Sequence, residues 1–288
     1  MKKGLCLAFV LISLSVYAQT GSEIYLLDVA LTKSKVTVSH AINITNHPGY
    51  DNQPFFHTTK PLLYYASFNN DDRSDIRIFN YQTRKTSALT TTQEREYSPT
   101  LTPDSRYISC IIQRDNNAQD LGKYPVEGGE AITLIDSLIV GYHAWVDDQN
   151  LILFVLSDSM TLQWYDLDKN TNTILDYNIG RALHKIPNQK AMSYVKRGDD
   201  GADIINRLDI ISKKIKPIVK TLPGREDLTW TSDGKILMSD GEKLLFYDTK
   251  LKEGWKEVIM NLGDIKLNGT TRLAMSKDGK KLAVVVAE

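Results

Sequence analysis

Residues 97–109 read YSPTLTPDSRYIS. An alternating run enters a Pro-Asp-Ser turn and leaves into a second alternating run, so thirteen residues spell one tight antiparallel hairpin. Whether this hairpin is single or repeated decides the fold. With Asp104 as the reference, the same order of run, turn and run recurs in HAWVDDQNLILF at Asp148, LHKIPNQKAMSY at Asn188, LTWTSDGKILMS at Asp233 and LAMSKDGKKLAV at Asp278. A degenerate copy, PFFHTTKPLLYY, lies upstream with Thr59 in the turn. The successive separations are 45, 44, 40, 45 and 45 residues. A turn signal alone is weak, but six copies at this period mark a repeat protein.

Each hairpin is followed by a third apolar or alternating run: DIRIFNY (75–81), TLQWYDL (161–167), IINRLDI (204–210) and KLLFYDT (243–249). In the second copy the corresponding run falls near Gly122 to Val126. A more polar fourth run follows, as in ITLID (132–136) and NTILDY (172–177). Four strands in about 45 residues, with no room for a three-turn helix, predict an all-β six-bladed β-propeller of four-stranded antiparallel blades. The last copy stops at Glu288 after its second strand. EIYLLDV (23–29) and KVTVSHAINI (35–44) supply the two missing outer strands, so pairing of N- and C-terminal segments closes the ring without an open edge.

The chain carries 35 acidic and 35 basic residues, 42% hydrophobic and 24% charged, the proportions of an ordinary globular protein. No nucleic-acid partner is expected, because such partners select a net basic domain or a basic face. The short runs Lys213, Lys214, Lys216 and Lys280, Lys281 read as solvated strand ends. Lys2 and Lys3 precede an apolar run from Gly4 to Val16, and Val16-Tyr17-Ala18 offers small residues for cleavage before Gln19. Residues 1–18 are therefore expected to be a cleaved signal peptide, and 19–288 a single propeller domain, exported to the periplasm or secreted. No later run approaches the length of a membrane span. Cys6 lies inside the leader without a lipid-attachment context, which leaves Cys110 alone and no internal disulfide.

The repeats YSPTLTPDSRYIS, LTWTSDGKILMS and LAMSKDGKKLAV resemble the Pro-Asp-type propeller repeats of the TolB family, and the lead-in NHPGYDNQPFF (46–56) is similar to the start of the first such blade. The resemblance covers nearly all of the chain after the leader and implies a periplasmic setting in a Gram-negative cell. TolB carries a separate α/β domain before its propeller, whereas about four residues separate the expected cleavage site from the first strand here. Such a motif specifies a fold better than a function.

In a propeller the first strand of each blade lines the central channel, and the loop leading into it opens on the usual ligand face. The Pro-Asp turns occupy the opposite face. The candidate binding residues are therefore those just before or within each inner strand: Tyr50, Asp51, Asn52, Arg95, Glu96, Tyr97, Tyr142, His143, Arg181, His184, Arg225, Glu226 and Arg272, with Asp227 beside them. Aromatics and directed donors of this kind suit a polar ligand, a peptide tail or a sugar. Trp145 matches Leu101 and reads as packing between blades; Tyr97 and Tyr142 fit either a satisfied rim or ligand contact. Arg95 and Arg181 facing Glu96 and Glu226 fit either a ligand site or a charge network. No cofactor is expected, and no metal: His57 is out of step with His143 and His184, and no carboxylate stands at ligand spacing. No nucleophile elbow is present, and Asp71-Asp72 and Asp199-Asp200 sit in turn-rich loops. The loop Asp71 to Ser74 opens on the ligand face. The sequence thus favours a non-catalytic binder of an envelope protein or peptide. The alternative is a carbohydrate-binding protein, or a lyase or hydrolase with its site at the channel mouth.

Overall fold

The structure, a computed structural model, describes residues 21–288 apart from 72, 117, 199 and 200. The expected leader, Asp72 and the Asp199-Asp200 pair lie outside the described residues. Every regular element among the described residues is a β-strand, and the strands form six sheets. Blade one comprises Asp51–Phe56, Leu62–Phe68, Ser74–Asn80 and Lys85–Ala88. Blade two comprises Arg95–Leu101, Tyr107–Gln113, Gln119–Pro125 and Ile132–Ile135. Blade three comprises Val140–Trp145, Asn150–Val155, Thr161–Asp166 and Thr171–Tyr177; blade four, Ile179–Lys185, Ala191–Lys196, Ile204–Asp209 and Ile215–Lys220. Blade five comprises Leu228–Trp230, Lys235–Ser239, Leu244–Asp248 and Trp255–Glu257. Each is a four-stranded antiparallel sheet in chain order from the inner strand outward.

Blade six joins the two ends of the chain, as the repeat count predicts. Thr270–Met275 and Lys281–Ala287 are continued by Ser22–Leu31 and Val36–Asn43. The closing register sets Ile24 opposite Val285 and Leu27 opposite Leu282, all fully buried. One strand exceeds the expected four. Ile259–Asn261, on the way from blade five to blade six, pairs in parallel with Val36–Asn43, setting Thr37 opposite Ile259. It supplies partners to backbone groups that an outer edge would leave open.

The core consists of six wedges, one between each pair of neighbouring blades. Alternation explains this arrangement. Successive residues of a strand face opposite sides, and each blade has a neighbour on both sides, so its second strand is buried on both faces and mostly apolar. Tyr107–Gln113 and Asn150–Val155 show this: every residue is buried except the half-buried Tyr107, Gln113 and Asn150. Cys110 lies in the wedge of blades one and two, where burial pushes its thiol well up.

Two wedges share a polar clamp. Trp145 of blade three donates from Nε1 to Ser109 Oγ of blade two at 2.9 Å, and Trp230 of blade five does the same to Ser193 of blade four at 2.8 Å. Trp145 therefore packs between blades, where the pattern places it.

The hairpin turns repeat one device. Thr102 and Thr231 donate to Asp104 and Asp233, and Ser276 to Asp278, each at 2.6 Å. The same hydroxyls accept the backbone N–H of Tyr107, Lys235 and Lys281 at 3.1, 2.9 and 2.9 Å. The tight return requires positive φ in the residue after Asp233, and Gly234 supplies it at 90°. In blade three the capping carboxylate is Asp147 rather than the reference Asp148, accepting from the N–H of Gln149 and Asn150 at 3.0 and 2.8 Å. In blade one a histidine takes the capping part: His57 Nδ1 accepts the N–H of Thr59 and Lys60, both at 3.1 Å. That fixes His57 on the turn face, away from His143 and His184.

Candidate binding site at the channel mouth

Inner strands run from the mouth toward the turn face, and most are irregular at their mouth end. The register shifts between Asn52 and Phe55, Tyr97 and Thr100, Val140 and Tyr142, Ile179 and Leu183, and Thr270 and Arg272. Gln53 and Ser98 take φ of 58° and 55° at two of these bulges, and Ser98 N–H donates to Gln53 Oε1 at 2.6 Å. A bulge re-aims the side chains beside it. Here it turns long polar and aromatic groups toward the axis.

Each of the six blades contributes to one cluster: Tyr50, Tyr97 and Tyr142 from blades one to three, Arg181 with His184 from blade four, Asp227 preceding the inner strand of blade five, and Arg272 from blade six. Tyr50 and Tyr97 meet edge to face with centroids 6.5 Å apart. Arg272 crosses from blade six to the diametrically opposite blade three, where its Nη2 donates to the Tyr142 hydroxyl at 3.4 Å. Its guanidinium carbon stands 5.4 Å from the Tyr142 ring centroid. Burial pushes the Tyr50 phenol up, against the nearby positive charges of Arg272 and Arg181. One half of the mouth is aromatic and the other half ionic.

The ionic half is a chain of guanidiniums and carboxylates. Arg181 is bound to Asp227 through Nη2 and stands 3.4 Å from Glu226 Oε1 through Nε. Glu226 also holds Arg197 at 3.1 Å, while Arg272 Nε is 4.0 Å from Asp227. Gly180 leaves the space that Glu226 fills, since a Cβ there would fall 2.5 Å from Glu226 Oε2. Burial drives the His184 pKa down to about 4, with Asp227 opposing and Arg272 assisting, so this imidazole is neutral at pH 7. Beside the chain lies a cleft of about 170 Å³ lined by Arg181, Arg225, Glu226, Asp227, Thr271 and Arg272 among others.

Several expected site residues stand apart from this cluster. His143 is buried in the wedge of blades two and three, with Nε2 2.7 Å from Ser109 Oγ. Ser109 has one proton, which goes to the Thr100 carbonyl at 3.0 Å, so His143 Nε2–H donates to Ser109. Burial lowers its pKa to about 3. Glu96 is fully buried and accepts from Thr92 Oγ1 at 2.5 Å, Tyr124 Oη at 2.9 Å and Thr90 Oγ1 at 3.2 Å. It ties the connection between blades one and two to the core. Asp51 is fully buried with the His47 imidazole 3.1 Å away, and burial raises its pKa to about 6, with Ser67 and His47 opposing. Asn52 donates to Ser22 Oγ at 3.4 Å. Arg95 pairs with Asp115 at 3.0 Å, not with Glu96, and Arg73 joins the same carboxylate at 3.1 Å. Arg225 donates to the Asp240 carbonyl.

Arg197 and Asp115 escape the sequence reading. Both lie in loops between second and third strands, the position of Asp71 to Ser74 in blade one. Extending that one loop to every repeat finds both. Among the described residues no group of three or more His, Cys, Asp or Glu side chains is placed to hold a metal ion, and no helix is long and apolar enough to cross a membrane.

No protein-family model and no curated protein matches the chain. Solved structures do match. One assigned as TolB from Agrobacterium tumefaciens has a TM-score of 0.72 at 12% identity, over 94% of this chain and 99% of that one. TolB from Acinetobacter baumannii gives 0.57 at 12% identity, over 93% of this chain and 65% of its own length. The fold is that of a TolB-type six-bladed β-propeller. An oligogalacturonate lyase in complex with manganese (0.57, 13% identity, 88% and 83% covered) and a nidogen/laminin complex (0.62, 12% identity, 92% and 98% covered) share it. At these identities the likeness carries the architecture alone.

Proposed function

We propose that this TolB-like propeller is an exported, periplasmic binding module that takes a protein or peptide segment at the channel mouth and performs no chemistry on it. The observation that carries this reading is the convergence of all six blades on one point, with tyrosines on one side and an Arg-Asp-Arg chain on the other. Rigid aromatics supply contact area at low entropic cost, and guanidiniums supply directed donors, the composition of binding hot spots. A lyase-like site would bring His143, His184 and an arginine to one position. His143 is instead spent on Ser109, and His184 alone accompanies Arg272, which supports binding over catalysis. Retention of one protein from a cell-envelope extract by the native form, and its loss with a Tyr142→Ala, Arg181→Ala variant, is the expected result. Equal retention by both forms would remove the mouth from the interaction. Failure to retain any protein would move the assignment to a carbohydrate or other small ligand.

A further inference from the structure

The geometry points to a carboxylate of an acidic peptide segment as the group the mouth recognises, with Arg272 at the axis as its receptor. This inference rests on the peptide-binding reading above and names the chemistry of that same site. Four guanidiniums, from Arg181, Arg197, Arg225 and Arg272, surround or adjoin the cleft, and two carboxylates, Glu226 and Asp227, answer them. The nearby Asp240 carboxylate is committed to the backbone N–H of Glu242 and Lys243 at 2.9 and 2.7 Å. Asp227 gives its near contacts to Arg181, and Glu226 divides between Arg181 and Arg197. Arg225 is bonded to the Asp240 carbonyl, and of the three guanidiniums paired with these two carboxylates Arg272 keeps the least. A guanidinium carries five donors in a rigid fork, yet this one has a 4.0 Å approach to Asp227 and a 3.4 Å bond to Tyr142. Its side chain is only 17% exposed, so water compensates it poorly.

An entering carboxylate would supply the missing negative charge and two acceptors in a geometry that matches the fork. The Tyr142 hydroxyl stands within reach of the same guanidinium, and Tyr50 and Tyr97 pack edge to face on the aromatic side of the mouth. A cleft of about 170 Å³ admits a side chain, not a folded element.

The test is to pan a random peptide library displayed on phage against the purified protein, then measure the selected peptides by calorimetry. The expected outcome is enrichment of Asp or Glu at one position. Replacing that acid by its amide should weaken binding about ten- to hundredfold on the native protein, and far less on Arg272→Gln, because the partner charge is already gone. Arg272→Lys, which keeps charge but not the fork, should fall between; it and Tyr142→Phe serve if Arg272→Gln melts early. Peptides that bind at the mouth without acidic enrichment, or whose acid-to-amide loss is the same on Arg272→Gln, would overturn the carboxylate while leaving the binding module standing. Selection of no peptide, with trigalacturonate binding the native protein but not Arg272→Gln, would overturn the peptide source and with it the module's proposed partner class.

Discussion

Arg272 and Tyr142 are 130 residues apart in the chain and belong to opposite blades, yet Nη2 of the arginine bonds the phenol oxygen at 3.4 Å across the channel axis. A double-mutant cycle with Arg272→Gln and Tyr142→Leu should return a coupling of about 0.5–2 kcal/mol in urea unfolding. Additive losses would mean that the two groups merely lie near each other.

Ser109 Oγ accepts from two ring N–H donors and Ser193 Oγ from one, at equivalent places in the second strands of blades two and four. Ser109→Ala leaves both the Trp145 Nε1–H and His143 Nε2–H without acceptors, while Ser193→Ala abandons only the Trp230 N–H. Each stranded buried donor costs about 1–3 kcal/mol. Ser109→Ala should therefore shift the urea midpoint by close to twice as much, and an equal shift would show that His143 finds another acceptor.

Ring closure depends on Lys281–Ala287, the strand between the inner strand of blade six and Ser22–Leu31. Deleting residues 282–288 removes Leu282, Val284 and Val286 from the wedge of blades five and six, and Ala283 and Val285 from the wedge of blades six and one. Two wedges open at once, and burial of the four Leu and Val side chains alone, at about 1.5–3 kcal/mol each, is comparable with the roughly 5–15 kcal/mol that stabilises a typical domain. The shortened chain should lose its cooperative melt. A melt matching that of the full chain would refute closure through this strand.

How much of this was legible in sequence follows from which interactions are local. The turn of Thr102-Pro103-Asp104-Ser105 closes within six residues, so its side chains announce it, and the 45-residue period multiplies the signal into a fold. The pairing of Ser22–Leu31 with the last repeat was readable for another reason: the last repeat lacked two strands, and only the two segments at 23–29 and 35–44 remained unassigned. The site was legible as a set of positions but not as a set of contacts. Glu96 and Tyr97 are consecutive, and strand alternation sends Glu96 to a buried cluster of hydroxyls while Tyr97 turns toward Tyr50. Bulges in the inner strands of blades one, two, three and six then displace the alternation by one residue, and that of blade four by two, just where it decides which side chain meets the axis. No single-strand pattern reports a bulge, and none reports that Arg272 is long enough to cross the channel.

Stability should depend on pH through two groups of opposite sign. Burial holds His143 and His184 neutral down to about 3 and about 4, whereas an unfolded histidine takes a proton near 6.5. The unfolded state therefore binds more protons below pH 6.5, and the stability these neutral rings allow is lost as pH falls. Asp51 acts the other way. Its pKa is raised to about 6 from an unfolded value near 4, so its contribution is complete below pH 4 and is lost as pH rises through 6. Between pH 4 and 6 two histidines oppose one aspartate, which leaves a net excess of about one proton on the unfolded chain and a slope of about 1.4 kcal/mol per pH unit. Unfolding free energy, measured by urea titration from pH 4 to 8, should rise to about pH 6.5 and then level. His143→Gln, which preserves a donor to Ser109, should flatten the rise, and Asp51→Asn should steepen it. The two variants moving the slope in the same direction would show that one of these side chains is solvated in the folded protein, and would undo its assignment as a buried group.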